Sequence, residues 1–153
     1  MILIACVGNI FLGDDGFGVE VARRLASRTL PPEVCVKDYG IRSFDLAYAL
    51  MEPWDLTILV DACARGDAPG TVYLIEPDPV EDAPQIEPHG MNPMSVLRLV
   101  KSLGGTPGRI LIVGCEPAEL GSEYDGQMGL SEPVEAAVEE AIALLESLWI
   151  KVV

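Results

Sequence analysis

The chain opens Ile2-Leu-Ile-Ala-Cys-Val7 and runs directly into Gly8-Asn-Ile-Phe-Leu-Gly13-Asp-Asp-Gly16-Phe-Gly18-Val19-Glu20. A short apolar run, a glycine-rich turn and then a helical pattern read as the first strand-turn-helix unit of an open α/β sheet. Gly8 and Gly13 stand five apart, as in a phosphate-binding loop, but Asp14 and Asp15 follow where that loop carries lysine. Backbone N–H groups and the positive end of a helix attract anions, whereas adjacent carboxylates repel phosphate and suit a metal or a cationic group. No GxGxxG can be read from Gly8, Gly13, Gly16 and Gly18, so the dinucleotide fingerprint fails as well. The two aspartates would serve equally as caps for a helix beginning near Gly16.

The same alternation continues along the chain. Strands are expected at Ile2–Val7, Val34–Asp38, Leu56–Asp61, Thr71–Ile75 and Ile110–Cys115. Leu56-Thr-Ile-Leu-Val60 and Ile110-Leu-Ile-Val113 are apolar throughout, as central strands covered on both faces must be. Four helices are expected between and after them. The first, from Gly16 to about Ser27, should bury Val19, Ala22 and Leu25 or Ala26, with Arg23, Arg24 and Arg28 toward water. The second, from Ser43 to about Met51, should present Phe44, Ala47 or Tyr48, and Met51 inward, and Pro53 ends it. The third, over 93–103, should bury Val96, Val100 and Leu103 and stop at Gly104-Gly105. The last follows Ser131 as N-cap and buries Val134, Val138, Ala141, Leu145 and Leu148. The fold class is therefore α/β, a largely parallel sheet with helices on both faces, built as one domain over residues 1–153.

Composition narrows the partners. The chain carries 24 acidic against 10 basic residues, a net charge of -14, which repels nucleic acid and anionic lipid headgroups. The apolar opening lacks a basic flank and is too short for a signal core or a membrane span, and the cysteine usage makes a reducing cytoplasm the expected setting. The cysteines Cys6, Cys35, Cys63 and Cys115 form no CxxC pair, and three of them fall in strand-like runs where cysteine behaves as a small hydrophobe. The proline- and acid-rich stretch 76–89 reads as an exposed loop whose length points to a part in function, and the loop 116–130 as a second long insertion.

In an open parallel sheet ligands bind beyond the carboxyl ends of the strands, and here those positions are acidic. The first strand is followed by Asp14, Asp15 and Glu20, the second ends in Asp38, the third in Asp61, and the loop after the fourth holds His89, the chain's sole histidine. A carboxylate at the lip of a core is costly unless it is paired or coordinates a cation. Each residue has an ordinary alternative: Asp61 as a turn cap or a partner of Arg65, His89 as an exposed loop residue, Glu20 as a helix-dipole partner. Together Glu20, Asp61 and His89 would give a cation two oxygens and one imidazole nitrogen, with positions left for water or substrate, and ligand type alone leaves the metal open. There is no HExxH helix and no G-x-S-x-G elbow, so no conventional zinc-peptidase or serine-hydrolase machinery is present.

Taken in order, Gly8-Asn9-x-x-x-Gly13-Asp14-Asp15-Gly16-x-Gly18-Val19-Glu20, Val60-Asp61-Ala62 with Gly66 and Pro69-Gly70, His89 with Leu97, Gly114-Cys-Glu-Pro117 and Leu130-Ser-Glu-Pro-Val134 closely resemble the hydrogenase maturation proteases. The resemblance implies a three-layer sandwich with a five-stranded, mostly parallel twisted sheet. It implies an aspartyl-type endopeptidase that trims the C-terminal extension of a nickel–iron hydrogenase large-subunit precursor after nickel insertion. Nickel would belong to the precursor, contacted by Glu20, Asp61 and His89, and no organic cofactor is expected. Asp38 and Asp61 become the candidate catalytic carboxylates, and Gly8, Asn9, Asp14 and Asp15 the candidate substrate contacts. Many relatives follow the second strand with an Asp-Gly-Gly-Thr-like turn, where this chain has Asp38-Tyr39-Gly40-Ile41-Arg42-Ser43. The alternative reading of the same ligands is a non-catalytic nickel chaperone for hydrogenase assembly.

Overall fold

The computed structural model describes residues 1–77, 93–118, 120 and 128–152. Five strands, β1 (Ile2–Val7), β2 (Val34–Gly40), β3 (Leu56–Ala62), β4 (Val72–Ile75) and β5 (Ile110–Cys115), form one sheet in the order β2-β1-β3-β5-β4. β1 pairs in parallel with β2 and β3, β3 pairs in parallel with β5, and β4 alone runs antiparallel, against β5. All three interior strands are buried almost end to end, whereas β2 and β4 at the edges are mixed, which is why the interior three are so uniformly apolar.

Alternate residues of each strand feed two cores. Ile2, Ile4, Cys6, Ile58 and Val60 face α1 (Phe17–Leu25) and α4 (Glu132–Val152). Leu3, Ala5, Val7, Leu59 and Ile112 face α2 (Ser43–Leu50) and α3 (Pro93–Ser102). The three-layer arrangement is the one expected. No helix among the described residues is long and apolar enough to cross a membrane.

Helix α4 buries Val134, Val138, Ala141, Leu145 and Leu148 as their spacing requires, and Ile142 and Trp149 widen the stripe. Three helix faces differ from expectation. In α1 the stripe is Phe17, Val21 and Leu25, steps of four counted from the true first residue, and Val19 is only half-buried. In α2 the inward residues are Leu46, Ala47 and Leu50, while Phe44 and Tyr48 are 62% and 59% exposed. That helix is apolar around most of its circumference, so periodicity leaves its rotation undetermined, and the sheet takes the face with the smaller Ala47. In α3 Leu97 replaces Leu103, which lies beyond the helix end and is exposed; Gly104 follows with φ 82°, the left-handed stop that the glycine pair anticipates.

Candidate active site

The sheet order reverses at β1: the chain leaves β1 for β2 on one side and returns to β3 on the other. The carboxyl ends of β1 and β3 therefore flank the crevice in which open α/β sheets hold ligands. The glycine-rich turn arches over this point. It carries one 3₁₀ turn, Asp14–Gly16, which packs against β3. Two glycines make the arch possible. A Cβ on Gly8, whose φ is +149°, would lie 2.0 Å from the Asp15 carbonyl oxygen, and a Cβ on Gly18 would lie 2.3 Å from the carbonyl oxygen of Val7 and 2.5 Å from that of Val60. No side chain fits such distances, so α1 starts with its backbone seated on the ends of β1 and β3.

Asp61 is the sixth residue of β3, 6% exposed, and its Oδ1 accepts the Ala62 N–H at 2.8 Å. By strand alternation it shares the face of Leu59, the layer of α2 and α3. Asp15 lies in the arch itself, half-buried, its Oδ2 accepting the Asn9 N–H at 2.9 Å just beyond the end of β1. Asn9 in turn closes the turn by accepting the Phe11 N–H on Oδ1, also at 2.9 Å. Gly8 extends the β1–β2 ladder by donating to the Gly40 carbonyl at 3.0 Å. Asp15 thus stands just beyond the end of β1 and Asp61 near the end of β3, the two adjacent strands at the switch point.

Glu20 is placed differently. It lies on α1, in the opposite layer from Asp61, and its carboxylate accepts from Arg23 Nε at 2.8 Å, Arg23 Nη2 at 2.6 Å and Arg24 Nε at 3.0 Å. The Arg23 guanidinium is the chief reason that its carboxyl is held below the ordinary value; Arg24 adds to this, against the opposing effect of partial burial. Arg24 continues to Glu135 and Glu139 of α4, and Arg28 to Glu139, so Glu20 belongs to a lattice of ion pairs strapping α1 to α4. Arg24 is accordingly half-buried rather than turned to water.

Asp38 is exposed at the end of β2, and its Oδ1 accepts the Gly40 N–H at 2.8 Å, the hydrogen bond of a turn-forming aspartate. β1 lies between β2 and β3, which sets the Asp38 and Asp61 backbones two strand spacings apart, about 10 Å. A proton-sharing carboxylate pair of the kind found in two-aspartate proteases needs contact at about 3 Å, so these two do not form one. His89 lies outside the described residues. It precedes α3, whose Val96, Leu97 and Val100 pack on the Asp61 face of the sheet. Among the described residues no three of histidine, cysteine, aspartate and glutamate form a metal cage.

Two buried carboxylates carry roles that no local pattern signals. Asp14 is 1% exposed, its Oδ1 accepting the Ser131 N–H at 2.7 Å and its Oδ2 accepting both Ser131 Oγ and the Ala118 N–H at 2.8 Å. It faces the interior rather than a substrate. Glu116, directly after β5, accepts the N–H groups of Arg65 at 3.0 Å and Asp67 at 2.6 Å and the Tyr73 hydroxyl at 3.3 Å, pinning the β3–β4 connection. The only sequence signal for it is an acid immediately following an apolar strand.

No thiol is prepared for nucleophilic attack among Cys6, Cys63 and Cys115. Burial first, and then Asp61, pushes the Cys63 thiol up to about 12; burial and then Asp14 push Cys115 up to about 12; Cys6 is raised further still by burial and Asp38. A thiolate is the reactive form, so these cysteines are inert packing residues near neutral pH.

Comparison with known proteins agrees with this architecture. Residues 19–148 match the HycI hydrogenase maturation protease family. The hydrogenase 2 maturation protease of Escherichia coli K12 is 32% identical over 145 residues, covering 92% of this chain and 85% of that protein. The solved structure of the E. coli hydrogenase maturating endopeptidase HybD superposes with a TM-score of 0.82 at 30% identity, over 98% of this chain and 92% of that one. The NiFe hydrogenase maturation protease HycI of Thermococcus kodakarensis KOD1 superposes with a TM-score of 0.70 at 27% identity, over 94% and 88%. A mostly parallel five-stranded sheet, a family match over residues 19–148 and relatives of this kind over nearly the whole chain place it in the hydrogenase maturation protease family, as a peptidase.

Proposed function

We propose that this peptidase removes the C-terminal extension of a nickel–iron hydrogenase large-subunit precursor once nickel has been inserted, and that the precursor's own nickel is what the crevice recognises. The observation that carries the reading is the pair of carboxylates, Asp15 and Asp61, on the two sides of the switch point between β1 and β3. With His89 they would offer a cation two oxygens and a nitrogen, a donor set that suits nickel but leaves its shell open to the precursor's ligands. Glu20 joins such a set only if both of its arginines let go, which makes Asp15 the better second carboxylate. The anchored metal would hold one peptide bond beside Asp61 for attack by water, and positioning of that kind lowers a barrier by several kcal/mol. Asp38, at the neighbouring edge, would steer the incoming peptide or water. The protein would work in the cytoplasm, where its four free cysteines stay reduced.

The test is direct. Purified protein is mixed with nickel-loaded and nickel-free large-subunit precursor and the products are weighed by mass spectrometry. Shortening of the loaded precursor alone is expected; equal cleavage of both, or of neither, overturns the reading.

A further inference from the structure

We propose that Asp14 is a positioning residue, which sets where Asp15 stands in the crevice by tying the arch to the start of α4 and to the segment after β5. The inference rests on the reading that Asp15 and Asp61 face the precursor's metal.

A carboxylate that is 1% exposed is expensive to keep charged unless donors and dipoles surround it. Among the described residues, donors converge on it from the Ser131 N–H, the Ser131 hydroxyl and the Ala118 N–H. Ser131 immediately precedes α4, a helix of 21 residues, so the carboxylate also sits at that helix's positive end. Every one of these partners comes from more than 100 residues away in the chain. A second tether lies beside it, a bridge between Gly13 and Leu120. Asp14 and Asp15 share one 3₁₀ turn, so anchoring the first carboxylate fixes the backbone from which the second projects. The Asn9 N–H, bonded to Asp15 Oδ2, reports that position. Neither carboxylate replaces the other: one faces inward to hold the arch, and the next is carried to the crevice.

Asp14→Asn keeps the shape but turns one acceptor into an N–H₂ group facing donors, so the arch must shift to relieve the clash. Displacement of a reacting group by about 1 Å costs on the order of 100-fold in rate. For Asp14→Asn, kcat on nickel-loaded precursor should fall about 100-fold with KM nearly unchanged. Ser131→Ala removes the hydroxyl donor and keeps the N–H, and should lower kcat about threefold to tenfold, a fraction of that loss. Leu145→Ala in the α4 core is the control, destabilised by a comparable amount yet with normal kcat. A second readout needs no turnover: amide NMR should show the Asn9 resonance displaced and its hydrogen exchange accelerated in Asp14→Asn and Ser131→Ala, and unaltered in Leu145→Ala. If wild-type protein cleaves but the two variants match the Leu145→Ala control in kcat and in the Asn9 amide, the positioning role is overturned. If Asp14→Asn does not fold, Ser131→Ala decides alone. If wild-type protein leaves the loaded precursor intact while the Asn9 amide still moves, Asp14 does position the arch and it is the functional reading that fails.

Discussion

Glu20 lies 3.0 Å from the Nε of Arg24 on α1, in the opposite layer from Asp61 near the end of β3. The consequence for activity is specific. Glu20→Gln should cleave nickel-loaded precursor within about threefold of wild type, while Asp15→Asn and Asp61→Asn should lose at least about 100-fold, in line with removal of a group acting at the reacting centre. Circular-dichroism melting of the same variants checks that Asp61→Asn remains folded. Equal loss in all three would return Glu20 to the crevice.

The arginine lattice also sets a pH response. The carboxyls of Glu20 and Glu139 are both held below their ordinary value of 4.5, Glu20 first by Arg23 and Glu139 first by Arg28. A depressed carboxyl contributes stability above its unfolded value and loses it as pH falls through the folded one. Wild-type melting temperature should therefore drop between about pH 5 and 3, with part of the drop abolished in Arg24→Met and masked in about 1 M NaCl. Differential scanning fluorimetry across that range measures it. Identical pH profiles for the wild type and Arg24→Met would show that the pairs contribute nothing.

Gly18→Ala places a methyl group 2.3 Å from the Val7 carbonyl oxygen, where backbone, not a flexible side chain, would have to yield. We expect a loss of at least about 3 kcal/mol, the upper end for overpacking, read as a shifted urea midpoint. The same substitution at Gly66, which meets nothing within 4 Å, tests backbone conformation alone at φ +91° and should cost only about 1 kcal/mol.

Glu116→Ala leaves the Arg65 and Asp67 N–H groups and the Tyr73 hydroxyl without their shared acceptor. Lost buried hydrogen bonds cost about 1–3 kcal/mol, and the damage should stay local. Limited proteolysis should cut first in the β3–β4 connection of the variant; an unchanged digestion pattern would count against the clamp.

The layers of this fold are legible in the chain because the interior strands obey a strong constraint. Leu56–Val60 and Ile110–Val113 sit between two helical layers and tolerate only apolar side chains and one threonine, so they stand out as written. The rotation of α2 is not legible, since Phe44, Leu46, Ala47, Tyr48 and Leu50 offer more than one apolar face and only the sheet's shape chooses. Asp61 was marked by its abrupt place at the end of an apolar run. Asp14, Asp15 and Glu20 are not told apart by pattern. Three acids in seven residues look alike in sequence, and what separates them is distant: Ser131 for the first, the Asn9 turn for the second, and the arginines along α1 for the third.

The contact of Gly18 with the Val7 and Val60 carbonyls means that the opening motif answers to two separate demands written over the same dozen positions. Its glycines, with Asp14 and Glu20, belong to the architecture, and of its acids only Asp15 is left for the proposed chemistry. A descendant that abandoned processing would be free to discard Asp15, yet could not discard Gly8 or Gly18 without losing the molecule. Among distant cousins, then, the glycine skeleton should outlive the activity, and Asp15 is the part to inspect when asking whether a given copy still works.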